Sequence, residues 1–491
     1  MTDDVRALLD TALDVYRPHR EVAARLAEHR ARLDEPVRIA LVGRVKAGKS
    51  TLLNALVGAR IAPTDAGECT RLVTVYRHGQ VPRVAARTAD GDRDLPVRRV
   101  DGGLSLDLGR LDPEGVDHLR VDWPTTGLTT ATFVDTPGIA SLSGDLSART
   151  RAFLEPPDGL PGADAVVFLT RQLQAEDVEV LRAFQDRAGA GTTTITVLSR
   201  ADELGSGGLD ALLQATDVAG RMAADPAVAE VSPTVLPVAG LLGLAGRMLR
   251  HGDFVAFRSL ARTPPAELQP LLLTADRFCR PDVPGEVVQS VRRALLERYG
   301  RFGVRLAIAL VRAGIDSAQG LADELVRRSG LEELQRRISV AFTARGAELQ
   351  QRSASAAVEW ALRSTPVDGD GRLWSELERL RLAEREAVVL APVRHLGNLP
   401  DDLREEGAQL LGAGGRSAAQ RLGVAEAVTP PEALHAAAEV ALDRWREHGE
   451  DPLAPRAARE AVGAVVESLE ALLAELEAAG SVGTGAQPAA G

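Results

Sequence analysis

The stretch GRVKAGKST, residues 43 to 51, constrains the fold more than any other part of the 491-residue chain. Gly43 and Gly48-Lys49-Ser50 stand at the spacing G-x-x-x-x-G-K-S, behind the short apolar run VRIALVG and ahead of STLLNALVG, which reads as a helix. Glycines in that setting let the backbone fold close around phosphates with its N–H groups pointing inward. The helix N-terminus adds its partial positive charge. The spacing assigns Gly43, Lys46, Ala47, Gly48, Lys49, Ser50 and Thr51 to a nucleotide-binding loop, with Lys49 reaching the β- and γ-phosphates and Ser50 offering its hydroxyl to Mg²⁺. The same loop holds both lysines of the chain, Lys46 and Lys49, while all the other basic residues are arginine. With abundant Ala and Arg and only 3% aromatics, this looks like a coding bias that turns lysine into arginine wherever either serves. A surviving lysine then marks a place where a guanidinium fails.

Pattern divides the rest of the chain. Residues 1–35 read as an N-terminal helical arm, divided near Pro18. Over residues 36–285, the apolar runs TTATFVDTPG, DAVVFLT and TTTITVLSRAD alternate with helical segments, which predicts an α/β domain with a mostly parallel sheet. Strand signals then cease. Residues 286–480 are long Ala, Leu, Glu and Arg segments without sustained heptads, as in a helical bundle, and residues 481–491 have the composition of a disordered tail. Cys69 and Cys279 are far apart and lack metal-ligand spacing, pointing to a reducing, cytoplasmic setting. The acidic N-terminus does not resemble a signal peptide, and no apolar run reaches the roughly 18 residues of a spanning helix. A net charge of −11 argues against nucleic acid as a partner.

Later motifs narrow the nucleotide. Asp135-Thr136-Pro137-Gly138 ends an apolar strand as the second magnesium-side motif of a GTPase does, with Asp135 toward Mg²⁺ and the Gly138 N–H toward the γ-phosphate. Ser199-Arg200-Ala201-Asp202 stands where the guanine-reading N/T-K-x-D motif would lie. The Asp202 carboxylate can accept from guanine N1 and N2, Arg200 takes the place of the lysine that packs along the base, and Ser199 departs from the usual Asn or Thr. Ala239, after the next strand, is a candidate neighbour of guanine O6. Thr70 lies where GTPases place a threonine that binds Mg²⁺ and fixes the attacking water, with Thr64 and Thr74 as alternatives.

Taken together, GRVKAGKSTLLNALVG, GECTRLVTVYR, VDTPG and SRAD resemble the bacterial dynamin-like GTPases, most closely the actinobacterial isoniazid-inducible and sporulation-associated branch. The Thr70-Arg71 pair matches that family's switch I pattern, and the likeness is specific over about residues 36–245. It implies GTP and GDP as ligands, Mg²⁺ as cofactor, hydrolysis, and a G domain that dimerises across the nucleotide. It also implies flanking helices folded together as neck and trunk, a sister dynamin-like partner, and peripheral contact with an anionic membrane. In related families the Lys46 slot holds a serine that helps bind a monovalent cation, or an arginine finger. Lys46 is thus either a built-in catalytic cation or a solvated group paired with a carboxylate such as Glu68. The apolar stretch EAVVLAPVRHLGNLP, residues 386–400, is either a membrane-touching tip or a kinked piece of bundle core. Two other functions remain open at this stage: a weakly hydrolysing nucleotide-gated scaffold and a soluble assembly GTPase.

Overall fold

The computed structural model of the chain describes residues 2–63, 72–88, 90–100, 103–137, 162–188, 193–232, 234–281, 286–393, 400–415, 417–425, 430–449 and 456–483. Two compact units emerge: Tyr16–Thr365 forms one, and Asp3–Val15 joins the chain from Pro366 onward in the other.

The larger unit is built on strands β1 (Arg38–Gly43), β2 (Val73–His78), β3 (Arg83–Thr88) and β4 (Gly91–Leu95), a separate hairpin of β5 (Arg98–Val100) and β6 (Gly103–Ser105), then β7 (Val116–Trp123), β8 (Thr132–Asp135), β9 (Ala165–Thr170), β10 (Thr194–Ser199) and β11 (Val235–Val238). Nine of them form one sheet in the order β11-β10-β9-β1-β8-β2-β7-β3-β4. The five from β11 to β8 run parallel. β2 joins antiparallel to β8 and parallel to β7, and β3 and β4 complete an antiparallel flank. The mostly parallel α/β sheet expected from the sequence is therefore present, extended by a flank that the apolar runs did not announce.

Parallel strands covered by helices on both faces must be apolar on both faces. In β1, Ile39 and Leu41 turn to one side, where Val167, Ile195 and Val197 pack with Leu52, Leu53 and Leu56 of the helix Lys49–Val57 and with Leu334, Ile338 and Phe342. Ala40 and Val42 turn to the other, with Val134, Phe168, and Leu181 and Phe184 of the helix Ala175–Ala188. The result is a three-layer sandwich.

The N-terminal arm divides where Pro18 predicts, into helices Thr2–Val15 and Arg20–Arg32. The second helix belongs to the sheet's unit and is tied in by buried polar groups. Asp164, at the start of β9, accepts from Arg32 Nη2 (2.5 Å) and Ser353 Oγ (2.8 Å) through Oδ1, and from the Arg38 backbone N–H (2.8 Å) through Oδ2. Gln350 Nε2 donates to Arg32 O at 2.9 Å and to Glu35 O at 2.6 Å. One carboxylate thus joins a helix before the sheet, two strands and the helix Gly346–Ser364.

The change of unit falls at Thr365, not at residue 285. Helices Gln289–Arg312, Ala318–Arg328, Leu331–Ile338 and Gly346–Ser364 stay with the sheet, because Leu331, Leu334, Ile338 and Leu349 complete its core. An amphipathic stripe shows that a helix packs without showing on what. The smaller unit holds Gly371–Val393, Asp401–Leu410, Ala418–Leu422, Pro431–Gly449 and Arg456–Gly483 around Val393, Leu403, Trp445, Val465 and Leu469. In residues 386–400, Glu386 is buried against Arg421 Nη2 (3.1 Å) and Ser468 Oγ (2.5 Å), and Val393 is core, so these two positions belong to the bundle interior; residues 394–399 lie outside the described set. The last helix runs to Gly483, into the segment read from sequence as tail.

Asp164→Ala should cost about 3–5 kcal/mol, since it strands the buried Arg32 guanidinium without a counter-charge. Replacing Arg32 and Asp164 together by apolar residues should recover much of that loss. Equilibrium denaturation of the three proteins checks both outcomes; a loss below 1 kcal/mol for the single variant (roughly the surface-pair range) would contradict the hub role.

Candidate nucleotide site

Because β8, β1, β9, β10 and β11 are parallel, their C-terminal ends share one edge, and the motif residues leave the sheet there. The loop after β1 starts inside the packed sheet. Gly43 has φ +155°, and a Cβ there would lie 2.2 Å from Leu169 O on β9, so no side chain fits. Gly48, with φ +93° and open space around it, is required by backbone conformation alone. Between them Lys46 holds φ +64°, which costs a non-glycine residue about 1–2 kcal/mol. Its side chain is exposed, and Glu68 lies outside the described residues.

Lys49 is buried. Its Nζ donates to Gly43 O (3.0 Å) and Arg44 O (3.3 Å), and burial lowers its pKa, opposed by the charge of Asp135. Arg44 is committed elsewhere: Nη2 donates to Gln174 Oε1 (2.5 Å) and Nε to the buried Asp177 Oδ1 (3.3 Å), anchoring the loop to the helix Ala175–Ala188. Ser50 Oγ donates to Asp135 Oδ2 at 2.6 Å, while Asp135 Oδ1 is buried with no hydrogen-bond partner among the described residues. Burial raises the Asp135 carboxyl above the ordinary carboxylate range, opposed by Lys49 and the Ser50 hydroxyl. An orphaned carboxylate oxygen beside a hydroxyl is an all-oxygen donor set suited to Mg²⁺. Thr136 Oγ1 donates to Leu41 O (2.9 Å), fixing β8 against β1 just past Asp135.

Beside the phosphate loop lies a cleft of ≈ 160 Å³, lined by Ala47, Gly48, Thr51 and Leu52 of the loop and its helix, by Ser199, Arg200, Asp202 and Glu203 from the end of β10 onward, and by Val238, Gly240 and Leu241. Ser199 Oγ donates to Thr170 O (3.2 Å), which joins β10 to β9, so its hydroxyl serves the scaffold. Burial raises the Asp202 carboxyl; its own backbone N–H, Arg200 and Arg171 oppose that shift, and Glu203 adds to it. A wider hollow of ≈ 490 Å³ along β2 and β3 contains none of the motif residues, so size alone would mislead here.

The structure brings together Gly43, Ala47, Gly48, Lys49, Ser50, Thr51, Asp135, Arg200 and Asp202, while Thr70 and Gly138 lie outside the described residues. Ala239 needs correction. It does not line the cleft, and its backbone N–H donates to Ser329 O at 2.9 Å, so it is not free to meet a base oxygen. Glu203 and Leu241 line the cleft in addition, and neither belongs to a phosphate or guanine motif.

Residues 39–102 match the Dynamin family. The chain is 41% identical over 495 residues to the isoniazid-induced protein IniC of Mycobacterium tuberculosis, covering 97% of this chain and 99% of that one. It belongs to the dynamin-like GTPase family, in its isoniazid-induced bacterial branch. Shorter likenesses join it to the isoniazid-induced protein IniA of M. tuberculosis (31% identity over 30% of this chain and 24% of that one) and to the bacterial dynamin-like protein of Nostoc punctiforme (30% over 28% and 20%). Membership of that family implies binding of GTP and GDP.

A carboxyl whose folded pKa is raised binds its proton more tightly in the folded chain than in the unfolded one. Its contribution is present below the ordinary carboxylate pKa and lost as pH rises through the folded value. Asp135→Asn should therefore melt higher than the nucleotide-free wild type near neutral pH, with the gap closing as pH falls toward about 4. Thermal melting across that range checks it, and a gap that ignores pH would contradict a strained, ionised Asp135.

Proposed function

We propose that this protein binds and hydrolyses GTP, pairs through its sheet-bearing unit with a second copy or with a sister dynamin-like protein, and acts peripherally at an anionic cytoplasmic membrane face. The observation that carries this reading is the meeting, at one sheet edge, of a buried lysine, a hydroxyl–carboxylate pair whose second oxygen has no partner among the described residues, and a cleft lined by the half-buried Asp202.

Lys49 and the loop N–H groups neutralise and orient the β- and γ-phosphates. Asp202 accepts from guanine N1 and N2, and Arg200 lies along the ring. Ser50 and Asp135, joined by Thr70, would hold Mg²⁺, which when bound screens the phosphate charge. Thr70 also fixes the attacking water, and the Gly138 N–H senses the γ-phosphate. Lys46 supplies charge where negative charge grows between the β- and γ-phosphates during transfer. Two features of the loop support that role. Arg44 is already spent on Asp177 and Gln174, and Lys46 keeps a costly left-handed backbone that points to a use other than stability.

The likeness to both IniC and IniA supports a sister partner. No helix among the described residues is long and apolar enough to cross a membrane, which suits peripheral contact. GTP turnover measured against protein concentration, with and without anionic vesicles, tests the proposal. Turnover that rises more than linearly supports a hydrolysing dimer, whereas near-zero turnover independent of concentration would point to a nucleotide-gated scaffold.

Lys46→Ala should lower kcat by roughly 10²-fold, the scale of one preorganised charge on a transition state, with little change in GTP affinity. Lys46→Ser should recover partly with potassium. Single-turnover kinetics at dimer-forming concentrations checks this, and a normal kcat in Lys46→Ala would remove the lysine from catalysis.

A further inference from the structure

The rim of the base cleft carries a three-residue ion chain that the guanine motif does not require. Glu203 Oε1 accepts from Arg200 Nη1 at 2.8 Å, and Glu203 Oε2 accepts from Arg171 Nη2 at 2.8 Å. Arg171 comes from a different strand, directly after Thr170 at the end of β9. Its turn is pinned by Thr170 Oγ1, which donates to Gln172 O at 2.7 Å, and by Ser199 Oγ on Thr170 O. Arg200 leaves β10 with φ 53° and ψ 41°, a left-handed conformation that a non-glycine residue adopts only where the surroundings hold it.

Resting on the guanine reading of this cleft, we propose that Glu203 and Arg171 are positioning residues for the purine: gripped by both ends of its carboxylate, the pair holds the Arg200 guanidinium in one plane along the open side of the base. Each guanidinium gives a single terminal nitrogen to Glu203, so the flat face of Arg200 stays free to stack. A lysine at 200 would offer a point charge with no face to orient. An arginine there gains from a brace that fixes its plane, and a brace from a second strand end fixes it better than the i,i+3 pair alone.

Stability does not explain the chain. Its side chains are 61% (Arg171), 42% (Glu203) and 37% (Arg200) exposed, and ion pairs so open to solvent contribute little to folding. Variants at Arg171 and Glu203 should therefore fold, and their effect should be on the base alone.

The test measures binding of GDP, inosine diphosphate and inorganic pyrophosphate to wild type, Arg171→Ala, Arg171→Lys and Glu203→Gln by calorimetry. Arg171→Ala and Glu203→Gln should weaken GDP and inosine diphosphate by the same factor, about three- to ten-fold, because a stacked cation does not read the 2-amino group. Pyrophosphate, which meets only the phosphate loop, should bind as in wild type. Arg171→Lys, which keeps the charge on Glu203, should restore most of the loss. Unchanged GDP affinity in both variants, or an equal loss for pyrophosphate, would overturn the brace while leaving the guanine site standing. A wild type that binds GDP no tighter than pyrophosphate would overturn the base-cleft reading and the brace with it.

Discussion

Everything at the site depends on five parallel strands, of which the central β1, β9 and β10 are buried on both faces. In β1, β9 and β10 nearly every residue is sealed in the core, so the chain can leave the sheet only at strand ends, and parallel pairing puts those ends together. The close approach of β1 to β9 then dictates what begins the loop. With Leu169 O where a Cβ would stand, position 43 admits glycine alone. The same burial withdraws Lys49 and Asp135 from water, lowering the basicity of one and raising the pKa of the other. An ammonium and a carboxylate held dry, one with a spare oxygen, suit an incoming anion and cation better than they suit the empty fold.

Burial on both faces is also what made this part of the fold legible in the sequence. IALVG, AVVFLT and TITVLS are continuous apolar runs because helices cover both sides, and an apolar run next to a Gly-rich loop has few other readings. The flank was harder to see. β3 alternates Arg83 and Arg87 with Val84 and Ala86, and β4 is half-exposed with charges along it, so the two read as polar surface although they extend the sheet. The second half of the chain showed its helices but not their partners. Leu334 and Leu403 sit in similar amphipathic stripes, yet one closes the sheet's core and the other a separate bundle.

Long-range hydrogen bonding set the other limit. Ala239 occupies the right place after β11, but Ser329, far along the chain, takes its N–H, and no local pattern announces that. The clefts behave likewise. Arg171 follows β9 as an ordinary charged residue, and it meets Glu203 only because β9 and β10 are neighbours in the sheet order. Motifs report what touches the phosphates through a short, rigid loop, whereas strand order reports what assembles around the base.

The three cations of the phosphate loop show why composition singled this segment out. Arg44 makes a forked contact with Asp177 and Gln174, work suited to a guanidinium. Lys49 places a compact ammonium between Gly43 O and Arg44 O, where a planar group with five directed donors could not turn toward both carbonyls and still face a phosphate. Position 46 is the remaining case. Its backbone is left-handed and its side chain is open to solvent, so among the described residues neither packing nor a fixed partner accounts for lysine there. A rotatable point charge on a long stem, able to swing from water onto a growing negative charge, is what an ammonium offers and a guanidinium offers less well. On the proposed catalytic reading of Lys46, that difference is the physical reason why a chain that writes arginine at every other basic position keeps a second lysine here.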